Sequence, residues 1–225
     1  MIERYKYGRT YHFPWSLSVG SDDKINKDWK KYFQYKNIVI TAKMDGECSA
    51  LYADGYTHAR SIDNSKHESR DWLKSFWSER HYNLPLGWRV YGENMYAKHS
   101  IEYNDLPSYF LAFSIYDDNN VRLNWDQFIE YCQLLDICTV PVLYEEPEIN
   151  YDDMYNDFYP NEMFIKSLFK KAVEDGQEGI VMTTYNGFAY DDMSKYLVKA
   201  VRRNHVATDE HWMSQAIIPN KLKEQ

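Results

Sequence analysis

Apolar and polar residues along this chain fall into short runs broken by turn-forming residues. The runs "NIVITAK", "CSALYA", "YTHARSI", "WRVYGE", "SYFLAFSIYD", "TVPVLY", "GIVMTT" and "YLVKAV" have the length and the β-branched or aromatic content of strands. Between the second and third, Asp54-Gly55 predicts a tight hairpin turn with positive φ at both central positions. Three segments change to the helical period. The first is "ESRDWLKSFWSER"; the second, "WDQFIEYCQLLD", follows Asn124 as N-cap with Gln127 three residues on, a capping-box start. The third, "EMFIKSLFKKAVED", is capped by Asn161 and stopped by Gly176, and sets Phe164, Ile165, Leu168, Phe169 and Ala172 on one face. Strands mixed with segregated helices predict an α+β fold of antiparallel β-sheets flanked by helices. No internal repeat or low-complexity linker interrupts it, so a single domain over residues 1–225 is expected.

Composition is compatible with that picture. The chain has 225 residues, 44% hydrophobic and 17% aromatic, enough for a well-formed core. No apolar run approaches the roughly 18 residues of a membrane span. "MIERYKYGRTYHF" lacks both the apolar stretch and the small-residue cleavage site of a secretory signal. The expectation is a cytoplasmic monomer that does not enter a membrane. Cys48, Cys132 and Cys138 are odd in number and lack CxxC spacing, which predicts buried free thiols rather than disulfides or structural zinc.

Charge needs a closer look, because a net charge of -8 argues against a polyanionic partner. The segment 145–162 holds Glu145, Glu146, Glu148, Asp152, Asp153, Asp157 and Glu162 with no lysine or arginine, and so carries seven of those eight charges. The remainder is close to neutral. It contains basic clusters in "KINKDWKK", "KSLFKK" and "KYLVKAVRRNH", so a positive groove is compatible with the sequence.

One residue does not fit a plain strand. "NIVITAK" runs straight into Lys43, followed by Met44, Asp45 and Gly46. K-x-D-G alone is a weak pattern, equally at home in a solvated turn. A lysine at the end of a buried strand is placed differently: partial burial and neighbouring charges there can tune an amine into a nucleophile.

"KMDGE" resembles the nucleotidyl-lysine motif of the covalent nucleotidyltransferases, the superfamily of ATP-dependent polynucleotide ligases and mRNA-capping guanylyltransferases. Later segments resemble its further motifs in the same order: "ARSIDN" with Arg60, "VYGENMY" with Glu93, "FLAFSIYD" with Phe113, "EGIVM" with Glu178 and "YLVKAVR" with Lys199. The tail "VRRNHVATDEHWM", residues 201–213, resembles a branch of RNA ligases from bacteria, phages and some eukaryotes. The resemblance covers about residues 38 to 213. It implies a nucleotidyltransferase (ATP-grasp-like ligase adenylation) domain and an ATP-dependent RNA ligase that joins 3′-OH and 5′-phosphate ends.

The same resemblance implies roles. Lys43 would attack the α-phosphorus of ATP, Lys199 would contact the α-phosphate, and Glu178 with Asp45 would serve Mg2+ or Mn2+. Arg60 would contact the AMP phosphate or the incoming 5′-phosphate, Phe113 would stack on adenine, and Glu93 would accept hydrogen bonds from the ribose. Strand alternation puts Glu178, Ile180 and Met182 on one face, and Lys195, Leu197 and Lys199 on another.

Three departures from the family pattern stand out. Ala42 occupies a position where many relatives carry glutamate. The usual pair of alternating lysines in the last motif is reduced to Lys199-Ala200-Val201, which leaves Lys195 or Arg202 as the second cation. No OB module of the kind found in this branch is expected, so RNA ends aligned in a nicked duplex are the expected partner. The alternatives are a DNA ligase, a capping-type guanylyltransferase, or an inactive module that binds nicks or RNA ends. An inactive relic would have no reason to keep Lys43, Glu178 and Lys199 together.

Overall fold

The structure, a computed structural model, describes residues 3–62, 67–146, 161–203 and 217–224. In chain order its elements begin with β1 (Tyr11–His12), α1 (Trp29–Phe33), β2 (Ile38–Lys43), β3 (Glu47–Tyr52) and β4 (Thr57–Ala59). They continue with α2 (Asp71–Ser78), β5 (Arg89–Asn94), β6 (Phe110–Tyr116), α3 (Trp125–Leu134) and β7 (Val142–Glu145). The last are α4 (Glu162–Glu174), β8 (Gly179–Thr184), α5 (Met193–Tyr196) and β9 (Leu197–Val201). The chain divides into two compact units, one of residues 1–7, 45–140 and 206–225, the other of residues 8–44 and 141–205. Sheets with helices packed on them, all ladders but one antiparallel, give the expected α+β class.

The second unit is built on a five-stranded sheet in the order β1-β9-β8-β2-β7. The register of β2 on β8 pairs Ala42 with Ile180 and Ile40 with Met182, and that of β8 on β9 pairs Ile180 with Ala200 and Met182 with Val198. These residues form one apolar face, buried against Ile165, Phe169 and Ala172 of α4 and Trp29 and Phe33 of α1. Alternation then dictates the other face. One row across it reads His12, Lys199, Val181 and Thr41; the next reads Val201, Gly179 and Lys43.

The first unit carries a four-stranded sheet in the order β4-β3-β5-β6, with α2 and α3. Its centre holds an unusual cation: the fully buried Arg89 stacks on Tyr5 and Tyr116 and donates to Tyr91 Oη at 2.9 Å. Arg70 and Glu47 form a second buried pair, with Nε 2.8 Å from Oε2. Asn124 caps α3 in a full capping box with Gln127, as the sequence predicts.

Several expectations need correction. Only Gly55 of the Asp54-Gly55 turn takes positive φ (82°); Tyr52 N donates to Tyr56 O and Gly55 N to Tyr52 O, both at 2.9 Å, so the hairpin closes through a three-residue loop, Ala53 to Gly55, rather than a two-residue one. Phe164 stays exposed at the margin of the core that takes Ile165, Phe169 and Ala172, its ring edge-on to Tyr144 at 4.9 Å. The short elements β1, α1 and α5 carry no periodic signal long enough to read. All three cysteines are free, but only Cys132 is buried; burial, helped by Cys138, pushes its thiol up to about 12. No helix among the described residues is long and apolar enough to cross a membrane.

Candidate active site

Lys43 is the last residue of β2, and β8 begins opposite it at Gly179. Glu178, one residue before β8, is held there by two backbone bonds. Its N–H donates to Lys43 O at 3.1 Å, and its C=O accepts from Arg202 N at 2.9 Å. Its carboxylate, 7% exposed, lies 2.6 Å from Lys43 Nζ, so a nucleophile candidate and a buried acid meet across 135 residues of sequence. The alternation expectation therefore fails for Glu178. Ile180 and Met182 turn to the helices, whereas Glu178 lies outside the strand and reaches the Lys43 side.

Gly179 explains how the strands come together there. A Cβ on it would lie 1.9 Å from Ala200 O, so β8 and β9 approach as closely as they do only because no side chain stands between them. The same absence leaves the row beside Lys43 open. Lys199 lies on the Lys43 face one row along and two strands across. With strands about 4.8 Å apart and about 3.4 Å of rise per residue, the two Cα atoms stand about 12 Å apart.

Two candidate cations follow different fates. Lys195 does not continue β9; it lies in α5, exposed, with Nζ 2.6 Å from Asp192 Oδ1 at an i,i+3 spacing. The helical turn breaks the alternation expected between Lys195 and Lys199. Arg202, in contrast, is fixed next to Glu178 through its backbone, and its Nε is buried without a hydrogen-bond partner among the described residues.

The other candidates lie in the first unit. Asp45 Oδ2 accepts from the N–H groups of Ser100 and Ile101, both at 2.8 Å, and Asp45 N donates to Tyr103 Oη at 3.1 Å. The carboxylate thus binds a loop. Gly46 passes so close to β5 that a Cβ would lie 2.7 Å from Asn94 O and 2.9 Å from Glu93 Cγ, a steric reason for glycine in K-x-D-G. Glu93, half-buried on β5, pairs in register with Cys48 and Leu111. Phe113, half-buried on β6, meets the Tyr7 ring edge-on at 4.9 Å. Arg60 is exposed just after β4. Among the described residues no group of three or more His, Cys, Asp or Glu is arranged to hold a metal.

Sequence reasoning missed Asp23 and His12. Asp23 Oδ1 lies 4.0 Å from Lys199 Nζ, and its Oδ2 lies 3.4 Å from Nε2 of the buried His12. No periodicity links "GSDDK" with "LVKAV"; only the pairing of β1 with β9 does. Most of the tail 201–213 lies outside the described residues.

Solved structures share this fold. The chain superposes on a Naegleria gruberi RNA ligase mutant with AMP and Mn at a TM-score of 0.52 and 13% identity, covering 91% of this chain and 64% of that one. A second mutant of the same ligase, with ATP and Mn, gives 0.51 and 15%, with 88% and 61% covered. An archaeal ATP-dependent RNA ligase gives 0.51 and 14%, with 84% and 48% covered. The chain thus spans about half to just under two thirds of these structures. No curated protein sequence matches it. The family model described as RNA ligase matches residues 36–201, most of the chain, and the chain belongs to that family.

Proposed function

We propose that the chain is an ATP-dependent RNA ligase that works through a lysyl-AMP intermediate on Lys43. The observation that carries this reading is the Lys43–Glu178 pair at the open end of β2 and β8, with Lys199 on the same sheet face. In the first step the neutral Lys43 amine attacks the α-phosphorus of ATP: a P–N bond forms, the P–O bond to pyrophosphate breaks, and the amine loses a proton. A 5′-phosphate oxygen then displaces the lysine from the α-phosphorus. Finally a 3′-hydroxyl attacks the activated 5′-phosphorus and AMP departs. Dividing one hard condensation this way is nucleophilic catalysis.

The chain's own residues take the remaining roles. An ammonium held in an ion pair is no nucleophile, so the Lys43–Glu178 pair describes a resting state that must open before attack. Lys199 supplies positive charge for the phosphoryl oxygens, and because Lys195 is paired with Asp192 in α5, Arg202 is the residue left as the second cation. Phe113 and Glu93 are assigned to adenine and ribose, and Arg60 to a phosphate. A lone buried carboxylate suits a hydrated Mg2+ or Mn2+ that keeps most of its waters and leans on substrate phosphates, so Glu178 is the residue that would hold it. That ion would supply charge neutralisation at the phosphates. Asp45, with one oxygen on two backbone amides, is better suited to hold the loop at Ser100 than to bind metal. RNA ends aligned in a nicked duplex are the proposed substrate, bound by a monomer.

The test is intact mass spectrometry after incubation with ATP and Mg2+ or Mn2+. Wild type gains one AMP; Lys43→Ala and Lys43→Arg gain none while keeping the wild-type fold. An adduct in the alanine variant would place the nucleophile elsewhere. Joining of RNA against DNA 3′ ends then separates this reading from a DNA ligase.

A further inference from the structure

Lys199 is a long side chain with one charge, and its usefulness depends on where that charge waits. Its ammonium lies 4.0 Å from Asp23 Oδ1. Asp23 is not a loose surface acid. Gly20 N donates to Asp23 Oδ2 at 2.9 Å and Asp23 N donates back to Gly20 O at 3.1 Å, which closes residues 20–23 into a turn. Strand β1 clamps the following residues, since His12 N donates to Lys24 O at 2.7 Å and Asn26 N donates to His12 O at 2.9 Å.

The buried His12 ring completes the fixture. Its Nε2 lies 3.4 Å from Asp23 Oδ2, and its Nδ1 lies 2.9 Å from Ser16 Oγ. Ser16 Oγ in turn accepts from Val201 N at 3.1 Å, two residues beyond Lys199 on the same strand. Loop and strand are therefore tied both through the backbone and through charge. Burial raises the Asp23 carboxyl, but the Gly20 amide, Lys199 and His12 outweigh it and hold the group below the ordinary carboxylate value.

We propose that Asp23 is a positioning residue that holds Lys199 over the Lys43 face in the free enzyme and hands it to a phosphate of ATP. This rests on the ligase reading of Lys199. Ordering a lysine side chain costs conformational entropy, and a carboxylate fixed by its own turn meets that cost before the nucleotide arrives. The 4.0 Å separation is looser than the 2.6 Å contact of Lys43 with Glu178, which suits an ammonium that must change partners.

Two measurements decide it. The first needs no nucleotide: lysines of the free protein are acetylated with acetic anhydride and read by mass spectrometry. Asp23→Asn, which keeps an acceptor for the Gly20 amide and so the turn, gives up only the stability carried by the Asp23 charge, and it labels Lys199 several-fold faster than wild type, with Lys27 and Lys31 unchanged. The second is single-turnover AMP-adduct formation in a double-mutant cycle. At ATP well below saturation, Asp23→Asn lowers the rate about tenfold and Lys199→Ala lowers it further, while the double variant is no slower than Lys199→Ala alone. Equal labelling of Lys199 in wild type and Asp23→Asn overturns the proposal, and so do additive losses in the cycle. A wild-type chain that forms no adduct overturns the ligase reading instead, and the acetylation result still judges the hold of Asp23 on Lys199.

Discussion

Replacing Gly179 with alanine puts a methyl carbon 1.9 Å from Ala200 O, 2.9 Å from Ala200 C and 3.0 Å from Val201 Cα. All three are backbone atoms of β9, so no rotamer change can relieve the clash. Restoring even a tight contact of 3.0 Å requires β9 to withdraw by at least about 1 Å, a shift that strains the Gly179–Val201 and Ile180–Ala200 pairs. Overpacking of this kind costs about 1–3 kcal/mol. At about 2–4 °C per kcal/mol for a chain of this size, the melting temperature falls by about 2–12 °C. Lys199 moves with β9, and under the proposed role of Lys199 a displacement of about 1 Å costs about 10²-fold in rate. Thermal melting followed by circular dichroism gives the first quantity, and single-turnover adduct formation gives the second. Wild-type values for both would refute the argument. A low melting temperature with a wild-type rate would keep the steric reasoning and remove the importance of where Lys199 sits.

Glu47→Ala leaves the guanidinium of Arg70 buried without its acid, and should cost about 3–5 kcal/mol in denaturant unfolding, whereas the double replacement Glu47→Leu, Arg70→Met costs far less; equal losses would mean that the pair matters through packing alone. His58 is held below its ordinary pKa of 6.5 chiefly by burial, against a hydrogen bond to Ala59 O that raises it. The unfolded chain therefore takes up a proton near pH 6.5 that the folded chain refuses. The stability from neutral His58 is complete above that pH and drains away as pH falls through the lower folded value. Urea unfolding of His58→Phe between about pH 7.5 and 5 should show a flatter profile than wild type, and parallel profiles would discount the effect.

Much of the sheet architecture was legible because β-branched runs such as Ile38–Lys43 and Gly179–Thr184 are long enough to show alternation. The caps at Asn124 and Asn161 were legible for a different reason: side-chain capping is local and uses neighbours only three residues away. Failures came where structure depends on distant partners. Tyr11–His12 is a strand only because β9 offers a ladder, and Met193–Tyr196 is a single helical turn with no period to detect. At the site, Lys43 stood out as a cation ending an apolar run, and that local anomaly needs no tertiary information. Asp23 showed no such anomaly, since its meaning comes from a strand 176 positions further on, paired through β1. Alternation misled for Glu178 and Lys195 because each lies just outside the strand to which the pattern assigned it.

The sheet that presents Lys43 is also a clock for folding. Lys43 precedes by 135 residues the acid that meets it, and the β9 strand that completes the face follows still later. Such non-local pairings close slowly and late, because the loop entropy must be overcome before any contact rewards it. Until Glu178 has been made, Lys43 cannot meet the acid that the folded sheet sets against it. The contact between Lys43 and Glu178 therefore arrives together with completion of the sheet.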